Sequence, residues 1–160
     1  MMALAEKPRP RPGTDWFRRQ RAAQANGFVT ILGMDAVPTD RLIARIEAGL
    51  SLAALNSFVR NTTFSVTDAA DLIGLPSRTL ARRKIEKRLH PDESDRLVRA
   101  ARLFVAVAEL FEGDADQARR WMSTPQPALG GEIPARFAST EVGSRAIEEL
   151  VGRLEHGIPS

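Results

Sequence analysis

The 160-residue chain lacks several features on which common protein functions depend. It has no cysteine, which excludes disulfide bonds and thiolate chemistry. Its two histidines, His90 and His156, lie far apart in sequence without paired carboxylates at ligand spacing, so no metal site is predicted. No apolar run approaches the ~18 residues of a membrane span, and no signal-peptide pattern opens the chain. These absences predict a cytoplasmic protein with no membrane partner.

Motifs that bind nucleotides or support catalysis are also missing. The chain contains no G-x-S-x-G, no Walker loop and no G-x-G-x-x-G, and the pair Gly130 and Gly131 indicates only a loop. Glu148 and Glu149 are adjacent and point to different faces of a predicted helix, so they make a poor acid–base pair. The sequence therefore predicts no enzymatic activity and no cofactor.

Charge is distributed unevenly along the chain, whose net charge is +3. Residues 1–103 hold 18 Lys and Arg against 11 Asp and Glu, a net charge of +7. Residues 104–160 hold 5 against 9, a net charge of −4. A basic region favours a polyanionic partner, because contacts to phosphates release counterions. The acidic region would repel DNA and needs a different role.

The most informative segment is residues 65–88, which read SVTDAADLIGLPSRTLARRKIEKR. It predicts two short helices joined by a tight turn, the pattern of a helix-turn-helix. Ala69 and Ala70 are small enough for close packing of the two helices, and Gly74 suits a turn with positive φ. Leu80 follows Gly74 by six residues and supplies the apolar contact of the second helix.

The second helix of this segment is rich in arginine. Residues 78–88 contain six basic residues and one acid, whereas a merely solvated helix, the alternative explanation, usually mixes the two signs. Arg78 and Arg82 share a face at i, i+4, and arginine pairs well with guanine. Ser77 and Thr79 suit phosphate contacts at a helix N-terminus. The predicted DNA-facing residues are Ser77, Arg78, Thr79, Arg82, Arg83 and Lys84.

The rest of the chain predicts an all-α fold preceded by an arm. Residues 1–38 are assigned to a flexible, partly disordered N-terminal arm, rich in proline at its start, in which residues 28–32 form a strand or a packed extended segment. Residues 39–90 form the helix-turn-helix unit, in which Thr39, Ser51 and Ser65 are predicted N-caps.

Residues 91–160 form a second helical unit. A long helix runs from Pro91 to about Phe111, with a broad apolar stripe. A short helix covers residues 115–122, a loop of fixed turns covers residues 123–134, and Thr140 caps a final helix that ends near His156. The predicted inner face of that final helix comprises Ile147, Leu150, Val151 and Leu154, and Gly157 is placed as its C′ residue.

These residues resemble the Xre/MbcA/ParS antitoxins that pair with RES-domain toxins. The resemblance is carried by LPSRTLARRK at residues 75–84, LHPDESDRLVRAARLF at 89–104 and ARRWMSTPQPALGGEIPARFASTEVGSRAIEELVGRLEHG at 118–157. It covers about residues 39–160. It implies an Xre-like half that binds the operator of its own operon, usually as a homodimer, and a C-terminal half that binds a RES toxin, an NAD-degrading enzyme, and obstructs its active-site cleft.

Carried onto this chain, the resemblance places the toxin-facing residues in the final helix and the tail. The candidates are Glu148, Arg153, Glu155, His156 and Gly157. Ser160 is added on a separate hypothesis, that its terminal carboxylate mimics a substrate anion. An acidic helical unit also complements a cleft that attracts a dinucleotide's phosphates. The alternative is a dimeric helix-turn-helix transcriptional regulator whose C-terminal half only dimerises and has no toxin partner.

Overall fold

The structure, a computed structural model, describes residues 26–157. Within that range the regular secondary structure is helical, which confirms the predicted all-α fold. Isolated antiparallel bridges join Ser51 to Arg88 and Gln126 to Glu132. The α-helices are α1 (Thr39–Ala48), α2 (Leu52–Thr62), α3 (Val66–Leu72), α4 (Ser77–Glu86), α5 (Pro91–Leu110), α6 (Ala115–Met122), α7 (Pro134–Phe137) and α8 (Glu141–Glu155).

Short polar side chains start several of these helices. The hydroxyl oxygens of Ser51, Ser65 and Thr140 accept hydrogen bonds from backbone N–H groups two or three residues later, at 3.0–3.2 Å, which confirms three predicted N-caps. The Thr39 cap is wrong, because α1 already includes Thr39 and Pro38 occupies the N-cap position. The caps explain why helices start where they do in a chain with many short elements.

Helix α5 is the central element of the fold. Pro91 occupies its first turn, where a missing N–H removes no helical hydrogen bond. Its predicted apolar stripe is confirmed, since Leu97, Ala101, Phe104, Val105 and Ala108 are all buried. α5 packs against α1 and α2 in the part of the chain before it, the front half, and against α6 and α8 in the part after it, the back half. One hydrophobic core therefore runs through both halves.

The segment predicted as a strand or extended stretch is a 3-10 helix, Gly27–Leu32. The prediction was wrong because a short apolar run has no periodicity that distinguishes the two conformations. A period of three residues places Val29 and Leu32 on one side, and both are at most 2% exposed. The helix packs on α2 and α5. Residues 27–32, assigned to the arm, therefore contribute to the core, while the first part of that arm lies outside the described residues.

Three phenylalanine rings join the front half to α5. Phe58 on α2 lies 6.4 Å from Phe64 in a stacked arrangement, and Phe104 on α5 lies 6.3 and 5.9 Å from these two rings, edge-on to both. Phe58 and Phe104 are completely buried. Such aromatic pairs contribute ~0.5–1.5 kcal/mol each beyond the area that they bury. The cluster fixes the long helix against the front half.

The back half closes through a structured loop. A second 3-10 helix, Pro127–Leu129, lies within the predicted loop, and the Gln126 N–H donates to the Glu132 carbonyl at 3.0 Å. Helix α7 packs on α8 at Gly143, where an added Cβ would overlap the carbonyl oxygen of Phe137. None of the helices in the described range is long and apolar enough to cross a membrane.

Candidate nucleic-acid interface and C-terminal surface

Helices α3 and α4 form the predicted helix-turn-helix. Ala69 and Ala70 are buried at 0% and 3% exposure, and Leu80 is buried on the inner side of α4. Gly74 has φ +63°, the left-handed conformation that glycine adopts at little cost. The Leu75 N–H donates to the Ala70 carbonyl at 2.8 Å and closes the turn. The structure therefore contains the two packed helices and the tight turn that the sequence spacing predicts.

The outer face of α4 carries the basic residues that the sequence predicts for DNA contact. Ser77, Arg78, Arg82 and Lys84 are exposed, and Thr79 is partly buried. Pro76 occupies the N-cap position of α4, and no side chain caps the helix. The N-terminus of α4 carries the positive end of the helix dipole, and the exposed Arg78 and Arg82, at i, i+4, share one face of the helix. This arrangement suits insertion into a major groove.

Arg83 does not belong to that exposed face. It was predicted to be exposed, but it is 4% exposed and lies on the inner side of α4, three residues after buried Leu80. Its Nε and Nη2 donate to the two carboxylate oxygens of Glu93 on α5, at 2.7 and 2.8 Å. Its Nη1 donates to Glu86 at 3.1 Å, and its Nη2 lies 3.1 Å from Nδ1 of His90. Arg83 therefore links α4 to α5.

Electrostatics and hydrogen bonding reinforce the pair. Burial alone would raise the pKa of Glu93, but the hydrogen bonds from Arg83 and from the His90 N–H outweigh it, so its pKa is lowered. The hydrogen bond to Glu93 raises the pKa of Arg83 despite the opposing effect of burial. The backbone N–H of His90 donates to Glu93 at 2.8 Å, as an N-cap residue does in a capping box. Both groups of the pair are therefore charged at neutral pH.

The C-terminal surface is formed by α8 and the residues after it. Arg153, Glu155, His156 and Gly157 are exposed, and Gly157 has φ +65°. Glu148 lies nearly two helical turns before Glu155. It accepts hydrogen bonds from Nε and Nη2 of the Arg102 side chain, at 3.2 and 3.0 Å. Ser160 lies outside the described residues. The structure thus gathers four candidates at one helix end, with Glu148 in an ion pair between α5 and α8.

Two apolar residues of α8 extend beyond the core. Ile147, Leu150 and Val151 are buried as predicted, but Leu154 is 44% exposed and Val142 is 81% exposed. The prediction for Leu154 was wrong because helical periodicity gives the direction of a side chain without showing how far the opposing core extends. Leu154 therefore adds an apolar residue to the exposed helix end, next to the charged candidates.

Two family descriptions match the two halves of the chain. The Antitoxin Xre-like helix-turn-helix domain matches residues 41–102. The Antitoxin Xre/MbcA/ParS C-terminal toxin-binding domain matches residues 106–157. The first range contains α3 and α4, and the second contains α8 and its exposed end. The fold and these matches define a helix-turn-helix protein that carries a toxin-binding domain.

Relatives that carry the name Antitoxin Xre extend the similarity over most of the chain. The chain is 35% identical over 128 residues to the protein named Antitoxin Xre of Yersinia enterocolitica, covering 79% of this chain and 86% of the relative. It is 31% identical over 145 residues to the Antitoxin Xre of Photorhabdus laumondii, covering 90% of this chain and 98% of that protein. The chain belongs to the Xre/MbcA/ParS family of antitoxins.

Proposed function

We propose that this antitoxin neutralises a RES-domain, NAD-degrading toxin and represses its own operon. The observation that carries the proposal is that one chain combines an arginine-bearing α4 with a region that matches a toxin-binding domain. In this account the protein has no enzymatic activity of its own. It acts in the cytoplasm through two binding surfaces, one for DNA and one for the toxin.

Operator binding uses the outer face of α4. Arg78 and Arg82 are the base-reading residues, because both are exposed and one helical turn apart. Ser77, Thr79 and Lys84 contact phosphates. Arg83 is removed from the DNA-facing set, since its guanidinium is held by Glu93. A homodimer places two copies of α4 on two half-sites, as helix-turn-helix dimers do.

Toxin binding uses the exposed end of α8 and the residues after it. Arg153, Glu155, His156 and Gly157 present polar groups, and the exposed Leu154 offers an apolar contact beside them. Glu148 and Ser160 complete the proposed surface. The net charge of −4 over residues 104–160 complements a cleft that attracts the phosphates of a dinucleotide.

Co-expression with the product of the neighbouring reading frame tests the toxin-binding half. We expect the full chain to restore growth and to co-purify with that product. Deletion of residues 155–160 should abolish both effects, because it removes four of the six candidate residues while leaving the buried part of α8 intact. Arg120→Ala, at an exposed position of α6, is the control and should still restore growth. If the neighbour is toxic but is neither bound nor neutralised, the protein is instead a regulator without a toxin partner.

A promoter reporter tests the DNA-binding half. We expect Arg82→Ala to raise expression of the reporter, because loss of a base-reading pair should weaken binding to the upstream region by roughly 1–3 kcal/mol. The same variant should still restore growth in the co-expression assay. Unchanged repression by Arg82→Ala would remove this residue from the proposed readout.

A further inference from the structure

The first turn of α5 bonds to two separate parts of the front half. Glu93 accepts two hydrogen bonds from Arg83 of α4. The next residue, Ser94, is completely buried, and its Oγ accepts the Leu50 N–H at 2.8 Å, just before α2 begins. This end of α5 therefore holds both the second helix of the helix-turn-helix and the chain that precedes α2.

Arg96, in the next part of the same helix, bonds to the turn of the helix-turn-helix. Its Nε donates to the carbonyl of Ile73, the C-cap residue of α3, at 2.7 Å. Its Nη1 donates to Asp92 at 3.3 Å. A Cβ added to Gly74 would lie 3.9 Å from the Arg96 Nε, so the guanidinium lies beside the turn. A cation here also interacts favourably with the negative end of the α3 dipole.

We propose that Arg96 is a positioning residue for DNA recognition. It holds the turn that leads into α4, so that Arg78 and Arg82 reach base edges, and it does not itself contact DNA. This inference rests on the proposed operator binding. A bidentate contact between arginine and guanine needs both N–H groups aligned, whereas contacts to phosphates carry no sequence information. Loss of Arg96 should therefore reduce sequence preference more than overall affinity for DNA.

Arg96→Gln tests the inference in the full chain, with Arg99→Gln as the matched control. Both variants remove one positive charge from α5. Arg99 lies three residues later, and its Nη1 lies 3.9 Å from Glu141 on α8 instead of near the turn. The probes are a duplex containing the region upstream of the protein's own reading frame and a scrambled duplex of the same composition. Affinity is measured for both over a series of salt concentrations.

We expect Arg96→Gln to lower the ratio of the two affinities by roughly tenfold, the discrimination of about one well-placed bidentate pair. Its affinity for the scrambled duplex and its salt dependence should match those of the wild-type protein. Arg99→Gln should keep the wild-type ratio. A general loss of folded protein would weaken both probes alike, so the ratio separates positioning from a purely structural role.

Three results would overturn the inference. If the ratio of the two affinities is unchanged in Arg96→Gln, this inference is wrong and the proposed repression is unaffected. Equal weakening on both duplexes, with a salt slope smaller by about 0.9, would make Arg96 a phosphate contact. A wild-type protein that does not prefer the upstream duplex overturns the proposed repression together with this inference.

A second variant keeps the test decisive if Arg96→Gln fails to fold. Asp92→Asn removes the charged partner of Arg96, and the Asp92 side chain is 69% exposed, so the fold should tolerate the change. We expect a smaller drop in the same ratio, because Arg96 keeps its bond to Ile73 and loses only the charge attraction of Asp92. An unchanged ratio in Asp92→Asn would then overturn the inference.

Discussion

The two ends of α5 hold their neighbours in different ways. At the N-terminal end, Glu93, Ser94 and Arg96 make polar contacts of 2.7–2.8 Å to three separate segments of the front half. Further along, Phe104 and Val107 are completely buried among apolar side chains. Contacts at the N-terminal end of α5 depend on the directions of hydrogen bonds, whereas contacts at the other end depend on close packing of apolar side chains.

This difference separates orientation from stability. Apolar packing contributes in proportion to buried area and constrains direction weakly. A hydrogen bond weakens steeply when its angle departs from linear, so polar contacts fix how one element is turned relative to another. We therefore expect changes at the apolar end to lower stability, and changes at the polar end to alter DNA recognition as well.

The largest expected effect is that of Phe104→Ala, at the apolar end. Removing this ring leaves a cavity at the centre of the aromatic cluster and should lower the free energy of unfolding by ~3–5 kcal/mol. Urea unfolding followed by circular dichroism measures the loss. Val142→Ala, at an 81% exposed position, is the control and should change the value by no more than about 0.5 kcal/mol. A loss below 1 kcal/mol for Phe104→Ala would contradict the role assigned to the cluster.

The second largest effect is expected for Glu93→Gln, at the polar end. This change leaves the buried Arg83 with only the more exposed Glu86 as a carboxylate partner, and loss of the buried partner is costly inside a protein. Because the pKa of Glu93 is lowered on folding, its stabilisation is complete above the unfolded value of 4.5 and is lost as pH falls through the lower folded value. The stability difference between wild type and Glu93→Gln should therefore be largest near neutral pH and narrow below pH 4.5.

Unfolding titrations at several pH values measure this narrowing. Glu47→Gln, at an exposed position on α1, removes the same charge outside the pair and serves as the control. A difference between wild type and Glu93→Gln that stays constant down to acidic pH would contradict the assigned ionised pair.

A smaller effect is expected at the contact between α7 and α8. Gly143→Ala forces a methyl group against the carbonyl oxygen of Phe137 and should lower stability by about 2–3 kcal/mol. Gly152→Ala, in the same helix, meets no atom within 4 Å and should instead stabilise by about 0.5–1 kcal/mol. Thermal unfolding compares the pair. Equal effects of the two substitutions would show that close packing at Gly143 does not limit stability.

The smallest of these effects is expected for Ser94→Ala. It removes the acceptor of the buried Leu50 N–H and should lower the free energy of unfolding by about 1–2 kcal/mol. Ser123→Ala, at an exposed position, is the control for denaturant unfolding. If Ser94→Ala leaves stability unchanged, the polar end of α5 is weaker than we propose.

Much of the front half was predictable from the sequence because its signals are local. The two alanines, Gly74 and Leu80 define the helix-turn-helix by spacing alone, and the structure confirms each of them. Arg83 was misplaced because its partner, Glu93, lies ten residues later on another helix. The spacing of Leu80 and Arg83, three residues apart, was the signal that places Arg83 on the inner side.

Other features required information from distant parts of the chain. The 3-10 helix Gly27–Leu32 takes its place from packing on α2 and α5, which a five-residue apolar run does not reveal. Leu154 repeats the period of buried residues, yet the core ends before it. The positioning role of Arg96 depends on a backbone carbonyl 23 residues earlier, which no pattern of side chains indicates.

We propose that this chain protects a cell from an NAD-degrading RES-domain toxin, and that the neighbouring reading frame encodes this toxin. The most direct test measures intracellular NAD in cells that express the neighbouring product, with the full chain or with the chain lacking residues 155–160. We predict that NAD falls when the neighbour is expressed alone, is restored by the full chain, and stays low with the shortened chain. An NAD level that falls equally with and without the full chain would contradict the account.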